Sequence, residues 1–241
     1  MKNHSDNIQN FLKISTLLII FGISASCQQK EPWQNMFKES DLSGWTQKNG
    51  KAEYKVENAE VVGTTVLNSP NSFLCTDKNY TDFILELEYK VDSPMNSGIQ
   101  IRSNSFEEYN NGRVHGYQIE IDPSDRAWSA GIYDEGRRGW LYDLADNEPA
   151  QKAFKNWEWN KYRIEALGDS IKTWINDIPA AFLVDGMTET GFIALQVHGI
   201  GRDESKLGLK VRWKNIRIIT EEPQKYAKHS PLKPKIINND K

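Results

Sequence analysis

Residues Gly112–Leu141, GRVHGYQIEIDPSDRAWSAGIYDEGRRGWL, hold the alternation that decides the fold. In Tyr117-Gln118-Ile119-Glu120-Ile121-Asp122 the side chains change character at every step, the period of a strand with two unlike faces. Tyr117, Ile119 and Ile121 share one face, whereas Gln118, Glu120 and Asp122 share the other. A solvated face usually mixes Lys, Thr, Ser and Glu. Three acceptor-rich side chains in a row, followed by Arg137-Arg138-Gly139-Trp140, read as the floor and rim of a sugar-sized cleft. The plainer alternative is a half-exposed strand followed by a polar loop.

Outward from this stretch the same signal recurs. Tyr54–Glu57 and Glu60–Gly63 read as strands joined at Asn58-Ala59, Ser72–Thr76 as another, and Phe83–Val91 as the longest. Ser97–Arg102 follows. Lys161–Ala166, Ser170–Asn176, Ala180–Val184, Phe192–Val197 and Leu209–Ile219 lie beyond the central stretch. About a dozen strands bounded by Gly, Pro, Asn and Asp, with one helical turn near Ala150–Lys155, argue for an all-β fold, a two-sheet antiparallel sandwich.

The chain has 241 residues and a net charge of −3, with no basic excess of the kind nucleic-acid binding requires. Ile14–Ile23 is an apolar run too short for an ordinary membrane span, and Ile23-Ser24-Ala25-Ser26-Cys27 follows it. This resembles a bacterial lipobox. It predicts a signal peptide over 1–26, lipidation of Cys27 and a protein anchored in the bacterial cell envelope, in contact with the membrane through its lipid alone. A plain secretory signal cut near Ala25 or Ser26 is the alternative. The chain has two cysteines, so a lipidated Cys27 leaves Cys75 without an intrachain partner, as a small buried hydrophobe. The expected organisation is a tether at 27–34, one domain at 35–220 and an extended tail at 221–241.

Three strands share a polar face. Gln100 and Arg102 stand opposite Ile99 and Ile101, and Gln196 and His198 opposite Leu195 and Val197, beside the central Gln118, Glu120 and Asp122. Amide, carboxylate, guanidinium and imidazole together suit a polyhydroxylated ligand. His115, Arg138 and Trp140 join Gln100, Gln118 and Gln196 as expected substrate contacts, with Trp140 stacking on a sugar ring. A retaining glycosidase of the laminarinase type would need Glu-x-Asp-x-Glu, but Ser124 stands where the second glutamate belongs and Pro123 ends the strand. No zinc motif is present. No cofactor is demanded, although Glu120, Asp122 and His198 are chemically suited to a hard divalent ion.

Six motifs occur in order: Asp41-Leu42-Ser43-Gly44-Trp45, Asn96-Ser97-Gly98-Ile99-x-Ile101-Arg102, Gly116-Tyr117-Gln118-x-Glu120-Ile121-Asp122, Gly131-Ile132-Tyr133, Gly191–Gly199 and Val211–Ile218. Together they resemble the bacterial 3-keto-disaccharide hydrolase domain family, over roughly Trp33 to Thr220. The resemblance implies a concanavalin-like jelly roll, often on lipoproteins, acting on glycosides already oxidised at C3. A C3 ketone acidifies the C2 proton, so a base can remove it and the C1 aglycone can leave by β-elimination, with water adding afterwards in a net hydrolysis. On chemical grounds His198 is the expected base, because imidazole titrates near neutrality. Arg102 or a divalent ion would hold the enediolate, and Glu120 or Asp122 would orient the histidine, bind hydroxyls or hold the ion. A non-catalytic glycan-binding lipoprotein is the rival reading, and a purely structural lipoprotein a third.

Overall fold

Alternating stretches become strands where their apolar sets can meet in a shared interior. The structure, a computed structural model, describes residues 31–38 and 40–237. The expected signal peptide, Cys27 and residues 238–241 lie outside the described residues. Strand β1 is the pair Gln34–Asn35, β2 runs Trp45–Asn49, and β3 (Glu53–Glu57) and β4 (Glu60–Thr64) form a hairpin. Then come β5 (Ser72–Thr76), β6 (Phe83–Val91), β7 (Ser97–Asn104) and β8 (His115–Ile121). Strands β9 (Ile132–Glu135) and β10 (Gly139–Tyr142) precede one helical turn, α1 (Glu148–Gln151), capped by the Asn147 side chain. The chain continues through β11 (Asn160–Leu167), β12 (Ser170–Ile175), β13 (Ile178–Val184) and β14 (Phe192–Val197). Strands β15 (Lys210–Ile219) and β16 (Lys235–Ile236) complete it.

These strands form an antiparallel-rich sandwich of the jelly-roll type. One sheet runs β16-β13-β12-β11-β6-β15-β4-β3, with β1 also paired to β15, and the other runs β10-β9-β8-β7-β14-β5-β2. Tight turns set the register. Asn58 and Ala59 both have positive φ (53° and 63°), the backbone of a two-residue turn whose twist matches a hairpin. Asn176 and Asp177 do the same between β12 and β13 (48° and 65°).

The parity read from sequence holds at the interface. Ile99, Ile101, Ile119, Ile121, Leu195 and Val197 all lie in the core between the sheets, none more than 1% exposed. Trp213, Tyr89, Tyr117 and Tyr162 fill the space beside them. Each such side chain contributes about 2–3 kcal/mol by leaving water. Tyr162 also reaches across and donates its hydroxyl hydrogen to the Glu120 carbonyl, which ties β8 to the opposite sheet.

Two boundaries differ from expectation. Gln34 pairs with Ile218, so the sheet takes in the last residue of the expected tether. Residues 221–237 dock on the nine-stranded sheet. Arg163 Nη2 donates to the Tyr226 carbonyl (2.6 Å), the Lys228 amide donates to Glu165 Oε1 (2.9 Å), and β16 pairs in parallel with β13. The segment's backbone groups satisfy side chains on that sheet, a role its Lys/Pro/Asn composition does not reveal.

Candidate functional site

The outward face of the seven-stranded sheet carries a cavity of about 350 Å³ around Glu120. Its lining comes from β8 (Gln118, Glu120), β9 (Tyr133, Glu135) and β10 (Trp140), with Asn71, Asn96, Arg113, Arg126 and His198 from flanking loops. Register explains why there is room. Glu120 stands opposite Gly98 on β7, and its amide donates to the Gly131 carbonyl on the other side (3.0 Å), so both cross-strand neighbours lack a side chain. The Gln118 side chain lies over Gly98, where an added Cβ would come within 2.6 Å of the Gln118 carboxamide carbon. Glycine is required there by that close approach.

A chain of amides fixes the Glu120 carboxyl. Gln100 Nε2 and Gln196 Nε2 both donate to Gln118 Oε1 (2.6 and 2.7 Å), and Ser103 Oγ donates to Gln100 Oε1 (2.7 Å). With its oxygen doubly occupied, Gln118 must present Nε2 to Glu120 Oε2 (2.8 Å), while Asn96 Nδ2 donates to Oε1 (2.6 Å). Burial pushes the Glu120 carboxyl up to about 7, against the pull of the two amide donors, and the Asp122 charge adds to the rise. A carboxyl poised near neutrality can take or give a proton.

Cations and aromatic rings line the walls. Asp122 accepts from Arg126 Nε (2.7 Å), and the Arg126 guanidinium lies 4.9 Å from the Trp128 ring centre and 5.0 Å from that of Trp140. Trp140 also meets Trp128 and Tyr133 edge-on at 4.8 and 5.3 Å. Arg113 forms an ion pair with Glu135 (3.3 Å). His198 is exposed just past the end of β14, its Nδ1 2.8 Å from the Gly199 carbonyl, which makes Nδ1 the protonated nitrogen and leaves Nε2 open in the neutral ring.

Of the side chains expected in the cleft, Glu120, Gln118, Trp140 and His198 line this cavity. Gln100 and Gln196 lie beneath it, fully buried, and act through Gln118. The others lie elsewhere. Arg102 has φ of 45° within an irregularity between Ile101 and Asn104, which breaks the alternation that would aim it outward. Its guanidinium donates instead to the Thr81 and Gly168 carbonyls (2.8 and 2.7 Å) and pairs with Asp82 (3.2 Å). Asp122 keeps the expected parity, but its carboxylate is taken up by the Ser124 amide and hydroxyl (3.1 and 2.6 Å) and by Arg126. His115 packs against Tyr109 (4.0 Å between ring centres) and Phe106, away from the cavity. Arg138 is held by Asp134 (2.5 Å) and Asp185. Cys75 is buried and free, its thiol pushed by desolvation up to about 12.

Among the described residues no group of three or more His, Cys, Asp or Glu is placed to hold a metal ion. The candidate ligands Glu120, Asp122 and His198 do not converge into one set, since the first two spend their oxygens on Asn96, Gln118, Ser124 and Arg126.

Sequence reasoning missed Asn71, Asn96, Arg113, Arg126, Tyr133 and Glu135. Tyr133 and Glu135 share the parity of Gln118 once β9 is paired to β8, since Gln118 faces Tyr133 and Gly116 faces Glu135. Period two along Ile132–Glu135 could have found them. The spacing of Asp122 and Arg126 hints at their ion pair, but nothing in the sequence aims Asn71 or Arg113 at this face.

Comparison with known proteins agrees with this architecture. A family model described as the 3-keto-alpha-glucoside-1,2-lyase-like domain matches residues 32–219. No curated protein matches. Among solved structures, a protein of Parabacteroides distasonis, assigned only provisionally as a glycosyl hydrolase, superposes with a TM-score of 0.57 at 18% identity, over 79% of this chain and 94% of that one. The catalytic domain of a Thermotoga petrophila endo-1,3-beta-glucanase (laminarinase) gives a TM-score of 0.55 at 13% identity, over 80% and 99%. The carbohydrate-binding module CBM66 of Bacillus subtilis gives 0.52 at 16%, over 72% and 93%. At these identities the likeness is one of fold.

Proposed function

The chain belongs to the 3-keto-alpha-glucoside-1,2-lyase-like domain family, and from that premise we propose that it cleaves 3-keto-glycosides by removing the C2 proton and expelling the C1 substituent. Family and fold point to a carbohydrate-active protein; the 3-keto substrate and the elimination route are proposed from the chemistry of the site. The observation that carries it is the Glu120 carboxyl, buried, held by neutral amide donors and raised to about 7 at the floor of a cavity with two arginines.

In this reading ionised Glu120 takes the C2 proton, and the C2–H electron pair moves towards the C3 carbonyl oxygen. Arg113 and Arg126 are the cations available to the enediolate oxygens, in place of the buried Arg102. Trp140 and Tyr133 offer ring faces to the sugar. The enediolate then collapses, the C1–O bond breaks, and the departing oxygen takes the proton that Glu120 has acquired, or one from Nε2 of His198 when that ring enters the cycle as the imidazolium. The product is a 1,2-unsaturated 3-keto sugar, to which water can add.

Direct glycosidic hydrolysis by paired carboxylates is less well supported. Glu135 stands level with Gly116, four residues from Glu120 along β8. It is paired with Arg113 (3.3 Å), and Asp122, two residues from Glu120, is paired with Arg126 (2.7 Å), so both carboxylates that could partner Glu120 are already engaged.

The test is incubation with 3-keto-glucosides in heavy water, with and without chelator. Deuterium at C2 of recovered substrate, together with release of the C1 substituent, is the expected result. Turnover without C2 label would leave direct hydrolysis. Binding of unoxidised glycans with no turnover of any 3-keto-glycoside would favour a glycan-binding module. For location we propose a lipid-anchored envelope protein, tested by membrane partition of Cys27→Ser.

A further inference from the structure

A second cavity, of about 570 Å³, opens against the first, and the two share Asn71, Arg113 and Glu135 as a common wall. None of the other described cavities shares a lining residue with both. Its lining includes the exposed Pro70 and an edge of Phe73, which is otherwise buried, and its rim carries carboxamides. Asn49 spends its side chain on the loop that forms one side, donating to the Gly112 carbonyl (3.0 Å) and accepting from the Val114 amide (2.8 Å). Asn71 Oδ1 accepts from the Gly199 amide (2.9 Å), while its Nδ2 has no hydrogen-bond partner among the described residues. Asn110 and Asn111 are exposed at φ of 48° and 55°, and neither side chain has a partner among the described residues.

We propose that this second cavity is the leaving-group site, taking a ring with one apolar face and a hydroxylated edge, as a second sugar or a phenolic aglycone would supply. The inference rests on the 3-keto reading. The Glu120 cavity is near the lower end of the size of small-ligand sites. A ring placed over Glu120 must direct its C1 substituent out of that space, and the shared wall is the opening into further enclosed volume. There an apolar ring face can cover Pro70 while hydroxyls meet Asn71 Nδ2 and the amides of Asn110 and Asn111.

Two variants probe this site without touching the Glu120 cavity. Gly201→Asn adds a side chain at a lining position: Gly201 has φ of 58° and no atom within 4 Å of an added Cβ, and asparagine tolerates that backbone. The double variant Asn110→Gly with Asn111→Gly removes two amides and keeps a backbone free to hold positive φ. The substrates are the 3-keto forms of methyl glucoside, 4-hydroxyphenyl glucoside and a glucosyl-glucoside. For folded variants with unchanged Tm, kcat/KM on one or both ring-bearing substrates should fall, about tenfold in the double variant as the loss of two hydrogen bonds implies, with the methyl glucoside within about twofold. Which ring substrate falls identifies the source of the ring. Equal effects on all three substrates, or none on any, overturn the leaving-group site while wild-type turnover upholds the 3-keto reading. No wild-type turnover of any of the three overturns both.

Discussion

Glu86 and Glu120 are both buried glutamates on outward faces of central strands, one in each sheet, and their surroundings are opposite. Glu86 on β6 faces Arg163 on β11 and Arg217 on β15, and both donate to it (3.0 and 2.6 Å), with Lys161 nearby at 3.4 Å. Burial pushes its carboxyl up, yet the hydrogen bonds from Arg217 and Arg163 and the Lys161 charge outweigh that and hold it below its ordinary value. Glu120 has a glycine on either side and amides for partners, and burial raises it to about 7. One arrangement keeps a charge ionised at neutral pH and fills its space with cations. The other leaves a proton mobile and the space open to a ligand.

Glu120→Gln is the strongest way to break this contrast. It should lower kcat on a 3-keto-glycoside by about 10²–10⁴ with a smaller change in KM, the usual contribution of a positioned base. Steady-state kinetics check it, and wild-type kcat in the variant would remove Glu120 from the chemistry. Glu86→Gln should do the reverse. It leaves two arginines under-compensated and should cost about 2–3 kcal/mol in urea unfolding, discounted because Arg217 is partly exposed, with kcat per folded molecule unchanged.

The two carboxyls also predict opposite slopes of stability against pH. Glu120 binds its proton more tightly folded than unfolded, so its contribution to stability falls as pH rises from about 4.5 to about 7. The fall is at most about 3 kcal/mol, and Glu120→Gln should abolish it in urea titrations at pH 5 and pH 8. Glu86 is depressed, so its contribution is present above pH 4.5 and is lost as pH drops through its folded value. The smallest expected effect is that of Trp140→Ala. Loss of one aromatic wall should raise KM about tenfold with kcat nearly unchanged. A change in kcat alone would move Trp140 from holding the ring to orienting the reacting group.

Much of the fold was legible in the residues themselves. Period-two alternation in Tyr117–Asp122, Ser97–Ile101 and Phe192–Val197 marked both the core face and the polar face, and Asn58-Ala59 and Asn176-Asp177 marked tight turns. Gln118 and Glu120 followed from parity, and Trp140 from its place on the loop after them. Arg102 shows where parity stops working, since a single irregularity in β7 turned its side chain to the Thr81 and Gly168 carbonyls. His115, Arg138 and Asp122 had suitable chemistry but were engaged by Tyr109, by Asp134 and Asp185, and by Ser124 and Arg126.

The sequence by itself therefore determined the sandwich and the inward set of side chains, because alternation and turn chemistry are local along the chain, and its six ordered motifs carried the resemblance to the family. Tertiary structure alone decided which polar groups share the cavity. Strand pairing placed Gly98 and Gly131 beside Glu120 and brought Glu135 to the same face as Gln118. Loops far apart in the chain supplied Asn71, Asn96, Arg113 and Arg126. The proton affinity of Glu120 belongs to that second class. It depends on how completely water is removed and on whether the cross-strand neighbours carry charge, and both are set by contacts between segments that the order of residues does not place side by side.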